Sequence, residues 1–352
     1  MFKLGIITDE VTQDFARAVE FAAANKLDFV EIRSVWDKPP QDLTIPDIRK
    51  MQQLLYEKQL NVISIASPVF KCHIEKEDEY QQHLEFLKHS TDLAQKLNTD
   101  ILRIFTFWKK ETTLDQNWER LLDRFVPAIE LAKKENIHLA IENENSCLIG
   151  TGKELRRFLD ALQRQSEVRS PKTEEESVSL RTKELGLKPD FPVYALWDPC
   201  NEIFAGVTEP PYPSGFESLL GSSRDLDRMI HLHVKDAIRE NPKDERTKGR
   251  KGAGASSRPS EAVIPLPSLP EGGTAKCVPI GDGWIDWQGQ FKALAARNYP
   301  GGVSLETHWR PKKTLSESML SCPGGITFSS LGEEASQICL DKIFDILRKT
   351  AK

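Results

Sequence analysis

The sequence has no long hydrophobic run and few cysteines for a chain of 352 residues. No apolar stretch approaches the roughly 18 residues that a membrane-spanning helix needs. The six cysteines form no Cys-x-x-Cys pair, which argues against a disulfide scaffold or a zinc ribbon. The first ten residues also lack the pattern of a secretory signal. We therefore expect a cytoplasmic protein that does not enter a membrane.

The sequence also lacks an excess of positive charge. Lys and Arg number 48 against 53 Asp and Glu, which gives a net charge of −5. Such a chain has no overall attraction to phosphate backbones or anionic lipid surfaces, so we expect no nucleic-acid partner. A glycine-rich phosphate turn after an early strand is missing as well, which argues against a doubly wound open sheet.

The chain does contain a regular alternation of strand-like and helix-like segments. Helical spacing is clear after the first strand, where Phe15, Val19 and Ala22 share a face behind the N-cap residue Asp14. The strand-like runs are Leu4–Thr8, Phe29–Arg33, Val62–Ala66, Ile101–Phe105, Leu139–Glu142, Val193–Trp197, Ile230–Val234 and Val303–Glu306. This order predicts an α/β fold in which a parallel sheet closes into a (β/α)8 TIM barrel, as a single domain over residues 1–352.

Two segments interrupt the alternation. Residues 164–190 are charged and polar, and residues 238–278 are rich in Lys, Arg, Gly, Ser and Pro. Neither has an apolar periodicity of its own, so we expect loop insertions in the barrel, with a C-terminal extension after about residue 310. The second insertion follows the seventh strand and should emerge near the C-terminal face, either as a lid or as a loop without fixed structure.

Acidic and histidine side chains follow the last four predicted strands. The four runs carry Glu142-Asn143-Glu144, Asp198, His231-Leu232-His233 and Glu306. In a barrel these strand ends converge on one side of the mouth. Charged groups beside apolar strands are costly unless they are paired or bind a metal. A mixed set of carboxylate and imidazole donors suits Mn²⁺, Mg²⁺, Co²⁺ or Zn²⁺.

Several motifs together resemble the xylose isomerase-like barrels. They are Ala140-Ile141-Glu142-Asn143, Trp197-Asp198-Pro199-Cys200-Asn201, His231 to Asp236, Gly281 to Trp287 and Ser304-Leu305-Glu306, and the resemblance covers roughly residues 1 to 310. That superfamily includes sugar and sugar-phosphate isomerases and epimerases, inosose dehydratases and family 2 AP endonucleases. The resemblance implies that Glu142, Asp198, His233 and Glu306 are the metal ligands, with Mn²⁺ as the first choice of cation.

The resemblance implies a metal-dependent isomerase or epimerase of a sugar or sugar phosphate that removes a proton next to a carbonyl through an enediolate, with Glu142 and Glu306 as the acid/base pair. A dehydratase or lyase acting on a keto-sugar, keto-glycoside or cyclitol is the alternative, because it uses the same metal and the same proton abstraction. A barrel that binds without catalysing is a third possibility. An AP endonuclease is disfavoured, because its three-zinc site is rich in histidines, and this chain has seven in all, with Asn201 where the nucleases carry one.

Other polar and aromatic residues near the strand ends are candidates for binding the substrate, a small sugar or polyol. Aromatic faces pack against sugar C–H groups, while the polar groups can bind hydroxyls, a carboxylate or a phosphate. Glu144 stands where many members of the superfamily carry a histidine. The candidates are Lys71, His73, Trp108, Glu144, Asn201, Lys235 and Trp309. A homo-oligomer is compatible with the sequence.

Overall fold

The computed structural model describes residues 2–169, 191–221, 228–240, 274–321 and 323–350. Residues 170–190 and 241–273, which form most of the two predicted insertions, lie outside this described part. The strands are β1 (Lys3–Ile7), β2 (Phe29–Ile32), β3 (Asn61–Ala66), β4 (Ile101–Ile104), β5 (His138–Glu142), β6 (Val193–Trp197), β7 (Met229–Val234), β8 (Asp236–Glu240), β9 (Thr274–Val278) and β10 (Gly302–Leu305).

Eight of these strands close into a parallel barrel in the order β1-β10-β7-β6-β5-β4-β3-β2. This confirms the predicted (β/α)8 TIM barrel. The helices are α1 (Thr8–Val11), α2 (Phe15–Ala24), α3 (Ile45–Lys58), α4 (Glu77–Lys96), α5 (Trp118–Glu135), α6 (Gly152–Arg169), α7 (Pro199–Phe204), α8 (Phe216–Leu220), α9 (Trp287–Ala296), α10 (Glu317–Ser321), α11 (Gly325–Ser329) and α12 (Gly332–Thr350).

Local sequence explains where several of these helices begin. Asp14 accepts hydrogen bonds from the backbone N–H groups of Ala16 and Arg17 and so caps α2. Thr44 and Asp47 form a reciprocal capping box at the start of α3. Asp286 accepts from the Gly289 N–H at the start of α9, the capping role that its position predicts. These caps satisfy backbone donors that would otherwise have no partner in the first helical turn.

The predicted insertions contain regular structure at their edges. Helix α6 continues past residue 164 to Arg169. At the second insertion, β8 and β9 pair as an antiparallel ribbon in which Ala237 lies opposite Cys277. After residue 310, helix α12 packs against α1 and α9 on the outside of the barrel. In the described part of the chain, no helix has both the length and the apolar character that a membrane crossing requires.

Candidate metal centre

Four side chains converge at the C-terminal mouth of the barrel: Glu142, Asp198, His233 and Glu306. One potential ligand atom from each lies within 4.8 Å of the other three, and all four residues are buried. They come from β5, β6, β7 and β10, which are consecutive neighbours around the barrel. Parallel strands end at the same rim, so residues far apart in sequence meet there.

Asp198 has two separate roles in this geometry. Its Oδ1 accepts hydrogen bonds from the backbone N–H groups of Cys200 at 2.8 Å and Asn201 at 3.2 Å, which caps α7. Its Oδ2 is buried without a hydrogen bond, although Lys235 Nζ lies 2.7 Å away as an ion pair. Burial raises the pKa of Asp198 to about 7 despite the opposing Lys235 charge. The backbone therefore orients this carboxylate and leaves Oδ2 facing the centre.

The two ring nitrogens of His233 face different groups. Nδ1 lies 3.6 Å from Glu142 Oε1 and 3.5 Å from Glu306 Oε2, and it makes no hydrogen bond. Nε2 lies 3.2 Å from an oxygen of the buried residue Glu31. Burial alone would lower the pKa of His233, but the carboxylates of Glu31, Glu306 and Glu142 raise it well above its ordinary value.

Each of the two glutamates is held by an arginine on its outer oxygen. Arg103 Nη1 donates to Glu142 Oε2 at 2.7 Å, and Arg33 Nη1 donates to Glu306 Oε1 at 2.7 Å. Burial would raise both carboxyl pKa values, but Arg103 brings the pKa of Glu142 down to about 2. Lys235 and the neighbouring imidazoles hold the pKa of Glu306 well below its usual range. Both glutamates are therefore ionised at neutral pH.

The donor set fits a divalent cation. His233 Nδ1 is buried and has no hydrogen-bond partner, which is unusual for a group so deep in a protein, and Asp198 Oδ2 makes an ion pair with Lys235 but no hydrogen bond. Carboxylate oxygens and one imidazole are donors that divalent first-row metals and Mg²⁺ accept. Lys235 Nζ contacts both Asp198 Oδ2 and Glu306 Oε2 at 2.7 Å, so its ammonium would compete with a bound cation for these two oxygens.

A second polar cluster lies behind Glu306. Arg33 contacts Glu10 at 2.8 Å as well as Glu306, and Arg310 contacts the other oxygen of Glu10 at 3.1 Å. His308 Nε2 lies 3.2 Å from Arg33 Nη1. Although Glu10, Glu306 and His308 could share a cation by distance alone, the Arg33 guanidinium already lies among them. This cluster therefore fixes the position of Glu306 and does not form a second metal centre.

Three of the predicted substrate residues meet at one edge of the mouth. Lys71 Nζ forms an ion pair with Glu144 Oε2 at 3.1 Å. The same ammonium lies 4.2 Å from the ring centre of Phe105 and 5.6 Å from that of Trp108. Trp108 is half-buried and pairs with Cys147 through its backbone. This edge offers an aromatic wall beside a paired cation and anion.

The remaining predicted substrate residues have other contacts. Asn201 Nδ2 donates to Glu142 Oε1 at 3.2 Å, so it reaches the centre itself. His73 turns its Nδ1 towards Glu79 of α4, at 2.9 Å. Trp309 is half-buried and packs against the hydrophobic core. Lys235, as described above, pairs with Asp198 and Glu306.

The sequence reasoning missed residues that hold the centre in place. Asn143 Oδ1 accepts from the backbone N–H of Asp198 at 2.9 Å and so joins the ends of β5 and β6. Asp236 accepts from the N–H groups of Gly281, Gly283 and Ile285, so the glycine turn wraps around this carboxylate. For the second arrangement, the sequence signal was an Asp two residues after the apolar run that ends at Val234, within the quoted motif from His231 to Asp236.

Solved structures share this fold at low sequence identity. D-allulose 3-epimerase from Methylomonas sp. aligns with a TM-score of 0.60 at 14% identity, over 98% of each chain. The IOLI protein with a bound zinc atom aligns with a TM-score of 0.64 at 14% identity, over 99% of each chain. The probable 3-DHS dehydratase AsbF from Bacillus anthracis aligns with a TM-score of 0.59 at 15% identity, over 98% of each chain.

The comparison with protein-family models identifies a family, whereas the comparison with curated proteins does not. No curated protein matches the chain. The family model described as a xylose isomerase-like TIM barrel matches residues 19–169 and 185–322, which include the whole four-residue centre. The match agrees with the closed parallel barrel and with the motifs at its strand ends. The chain therefore belongs to the xylose isomerase-like TIM barrel family.

Proposed function

We propose that this protein is a divalent-metal-dependent sugar isomerase or epimerase. The observation that carries the proposal is the placement of Glu142 and Glu306 on either side of His233. Their inner oxygens lie 3.6 and 3.5 Å from the same imidazole nitrogen. Two carboxylates that flank one point can exchange a proton with either face of a carbon held between them. Similarity in fold to D-allulose 3-epimerase supports this class of reaction.

The four residues of the centre would hold the cation, and Mn²⁺ is our first choice, with Mg²⁺, Co²⁺ or Zn²⁺ as alternatives. When bound, the cation would act as a Lewis acid that stabilises negative charge on the substrate carbonyl oxygen. The fold neighbour with bound zinc supports such a cation.

The chain's own residues prepare the proton transfer. Arg103 keeps Glu142 ionised, and Lys235 with the neighbouring imidazoles keeps Glu306 ionised, so either glutamate can accept a proton from the carbon next to the carbonyl. Arg103 and Arg33 bind the outer oxygens and leave the inner ones directed at the centre. In an isomerase, the same glutamate returns this proton to the neighbouring carbon. In an epimerase, the opposite glutamate first takes up a proton from solvent and delivers it to the other face of the carbon, and the first glutamate releases its proton to solvent. Asn201, which donates to Glu142 Oε1, keeps this oxygen oriented.

We further propose an uncharged sugar or polyol as the substrate. In the described part of the chain, the cations around the centre each contact a carboxylate: Arg33 with Glu306, Arg103 with Glu142, Lys71 with Glu144 and Lys235 with Asp198. A phosphate would have to displace one of these buried pairs, which would leave a carboxylate uncompensated. Hydroxyl groups can bind to such pairs without displacing them.

The proposal is tested by following the reaction in D₂O. The Mn²⁺-loaded protein is incubated with ketoses, keto-glycosides and inositol derivatives, each also as its phosphate where available, and the products are followed by NMR. We expect deuterium at one carbon together with a change of configuration or carbonyl position. Glu306→Gln should lower turnover by about 10²- to 10⁴-fold with metal still bound. Glu202→Gln is a matched control, because this buried glutamate contacts the Gly152 N–H instead. Full turnover by Glu306→Gln would rule out the acid/base assignment.

A dehydratase or lyase is the second candidate, favoured by the position of Lys235. Its ammonium lies 2.7 Å from Glu306 Oε2, beside the proposed base. The ammonium at this position is suited to donating a hydrogen bond to a departing hydroxyl after the carbon has lost its proton. The fold similarity to the probable dehydratase AsbF agrees with this reading. The same NMR experiment separates the two, because loss of water or of an aglycone would identify a lyase.

A further inference from the structure

Beneath His233, on the side away from the four-residue centre, lies a carboxylate that no sequence motif singled out. Glu31 is the third residue of β2 and is fully buried. Its oxygens lie 3.2 and 3.4 Å from His233 Nε2, and His231 Nε2 lies 3.0 Å from one of them. Ser64 Oγ donates to the other oxygen at 2.7 Å. Three side chains therefore contact the Glu31 carboxylate.

This arrangement decides which nitrogen of His233 carries the proton in the neutral ring. An ionised carboxylate can only accept hydrogen bonds, so the nitrogen that faces Glu31 must be the N–H donor. That nitrogen is Nε2. The lone pair then lies on Nδ1, the nitrogen that faces Glu142 and Glu306 and has no hydrogen-bond partner. A histidine that binds a metal needs a lone pair on the nitrogen that faces the metal and a proton on the other nitrogen.

We propose that Glu31 is a positioning residue that fixes His233 in its Nε2–H form and so directs the Nδ1 lone pair at a divalent cation in the four-residue centre. The proposal rests on the metal-binding part of the proposed function and is independent of which reaction the protein catalyses. Glu31 acts through His233 and does not itself touch the cation.

The fold holds Glu31 in a way that suits this role. The pairing of β2 with β3 shifts register between Val30 and Glu31, so that Glu31 lies opposite Ser64, its hydrogen-bond donor. Such irregularities re-aim a side chain next to a functional site. On the other side, His231 Nε2 also lies 2.9 Å from Ser304 Oγ of β10. Glu31 is therefore anchored to β3 directly and to β10 through His231, which limits its freedom to rotate away from His233.

The test compares two variants that alter this carboxylate differently. Glu31→Gln keeps the shape but removes the charge and one acceptor oxygen, whereas Ser64→Ala removes a donor to Glu31 and leaves its contact with His233 intact. We expect Glu31→Gln to weaken Co²⁺ binding, measured by calorimetry without substrate, by about 10- to 100-fold. Its visible Co²⁺ spectrum should change as the imidazole donor weakens. Ser64→Ala should weaken Co²⁺ binding less than Glu31→Gln does, because the carboxylate charge and the contact with His231 remain.

A second measurement needs no variant and remains decisive if Glu31→Gln fails to fold. In the wild-type protein labelled with ¹⁵N-histidine and loaded with Zn²⁺, NMR should show His233 with the metal on Nδ1 and the proton on Nε2. Coordination through Nε2 would overturn the proposal, as would a folded Glu31→Gln variant with wild-type Co²⁺ affinity and spectrum. A wild-type protein that binds Co²⁺ but turns over no substrate would contradict only the proposed reaction.

Discussion

A buried histidine outside the centre ties the stability of the barrel to pH. His83 on α4 is 8% exposed, and its Nδ1 accepts the backbone N–H of Phe70 at 2.8 Å. Phe70 has a left-handed backbone with a φ of 66°, and it precedes Lys71 at the mouth. The hydrogen bond requires an unprotonated Nδ1, so protonation of His83 must break it. This contact therefore supports the loop that carries Lys71.

The size of the effect follows from the pKa of His83. Burial lowers this pKa from 6.5 to about 4 in the folded protein. Because the unfolded chain binds a proton more readily, the stabilisation is complete above about pH 6.5 and is lost as the pH falls towards about 4. A difference of this size corresponds to about 3 kcal/mol of the free energy of unfolding.

The assay is urea unfolding of the wild type and two variants at several pH values. His83→Asn is the matched variant, because its amide oxygen stands as many bonds from Cβ as Nδ1 does and accepts the Phe70 N–H without titrating. We expect the wild type to lose about 2 to 3 kcal/mol relative to His83→Asn between about pH 7 and about pH 4.5. His83→Leu leaves the buried N–H unsatisfied and should cost about 1 to 3 kcal/mol at neutral pH.

Parallel pH profiles of the wild type and His83→Asn would refute this reasoning. They would mean that His83 titrates equally in both states and that the Phe70 contact contributes no pH dependence. Comparing the two proteins also removes the contribution of the many acidic residues that titrate in the same range, because both chains share them.

Three further outcomes are expected from the described contacts. Phe328→Ala, which empties a fully buried site against two arginines, should lower the free energy of unfolding by about 3 to 5 kcal/mol in urea melts. Gly283→Ala should lower the thermal midpoint sharply, because a Cβ there would lie 2.0 Å from Asp236 Oδ1. The control Asp282→Ala changes a neighbouring surface residue and should alter the free energy of unfolding by no more than about 0.5 kcal/mol. Mn²⁺ should raise the thermal midpoint with increasing concentration. Asp198→Asn should weaken this rise while its amide oxygen still caps α7, and an undiminished rise would argue against Asp198 as a ligand.

Much of the fold could be predicted from local sequence. The eight predicted barrel strands coincide with the observed ones to within a residue or two, because apolar runs bounded by turn residues are a local signal. The residues that converge at the mouth could be named for a similar reason. Parallel strands place their C-terminal ends at one rim, so Glu142, Asp198 and Glu306 could be expected to meet once the barrel was inferred. The antiparallel ribbon of β8 and β9 could not be predicted, because its sequence has a loop-like composition.

The partners of these side chains were decided only by the tertiary structure. Lys235 reads as a substrate contact from its position, yet its ammonium lies between Asp198 and Glu306. Glu31 reads as an ordinary strand residue, yet it meets His233 across the barrel. Nothing within a few residues of Glu31 marks that pairing, because the two positions lie about two hundred residues apart in the chain.

The amino-acid sequence by itself thus determined the barrel and the donor types available at the mouth, since periodicity and strand-end chemistry are local properties of the chain. Barrel closure decided which oxygen of Glu142 and of Glu306 faces an arginine and which faces the centre. It also decided which nitrogen of His233 is free to bind a cation. Those choices depend on distances between atoms on different strands, and such distances exist only once the eight strands have closed.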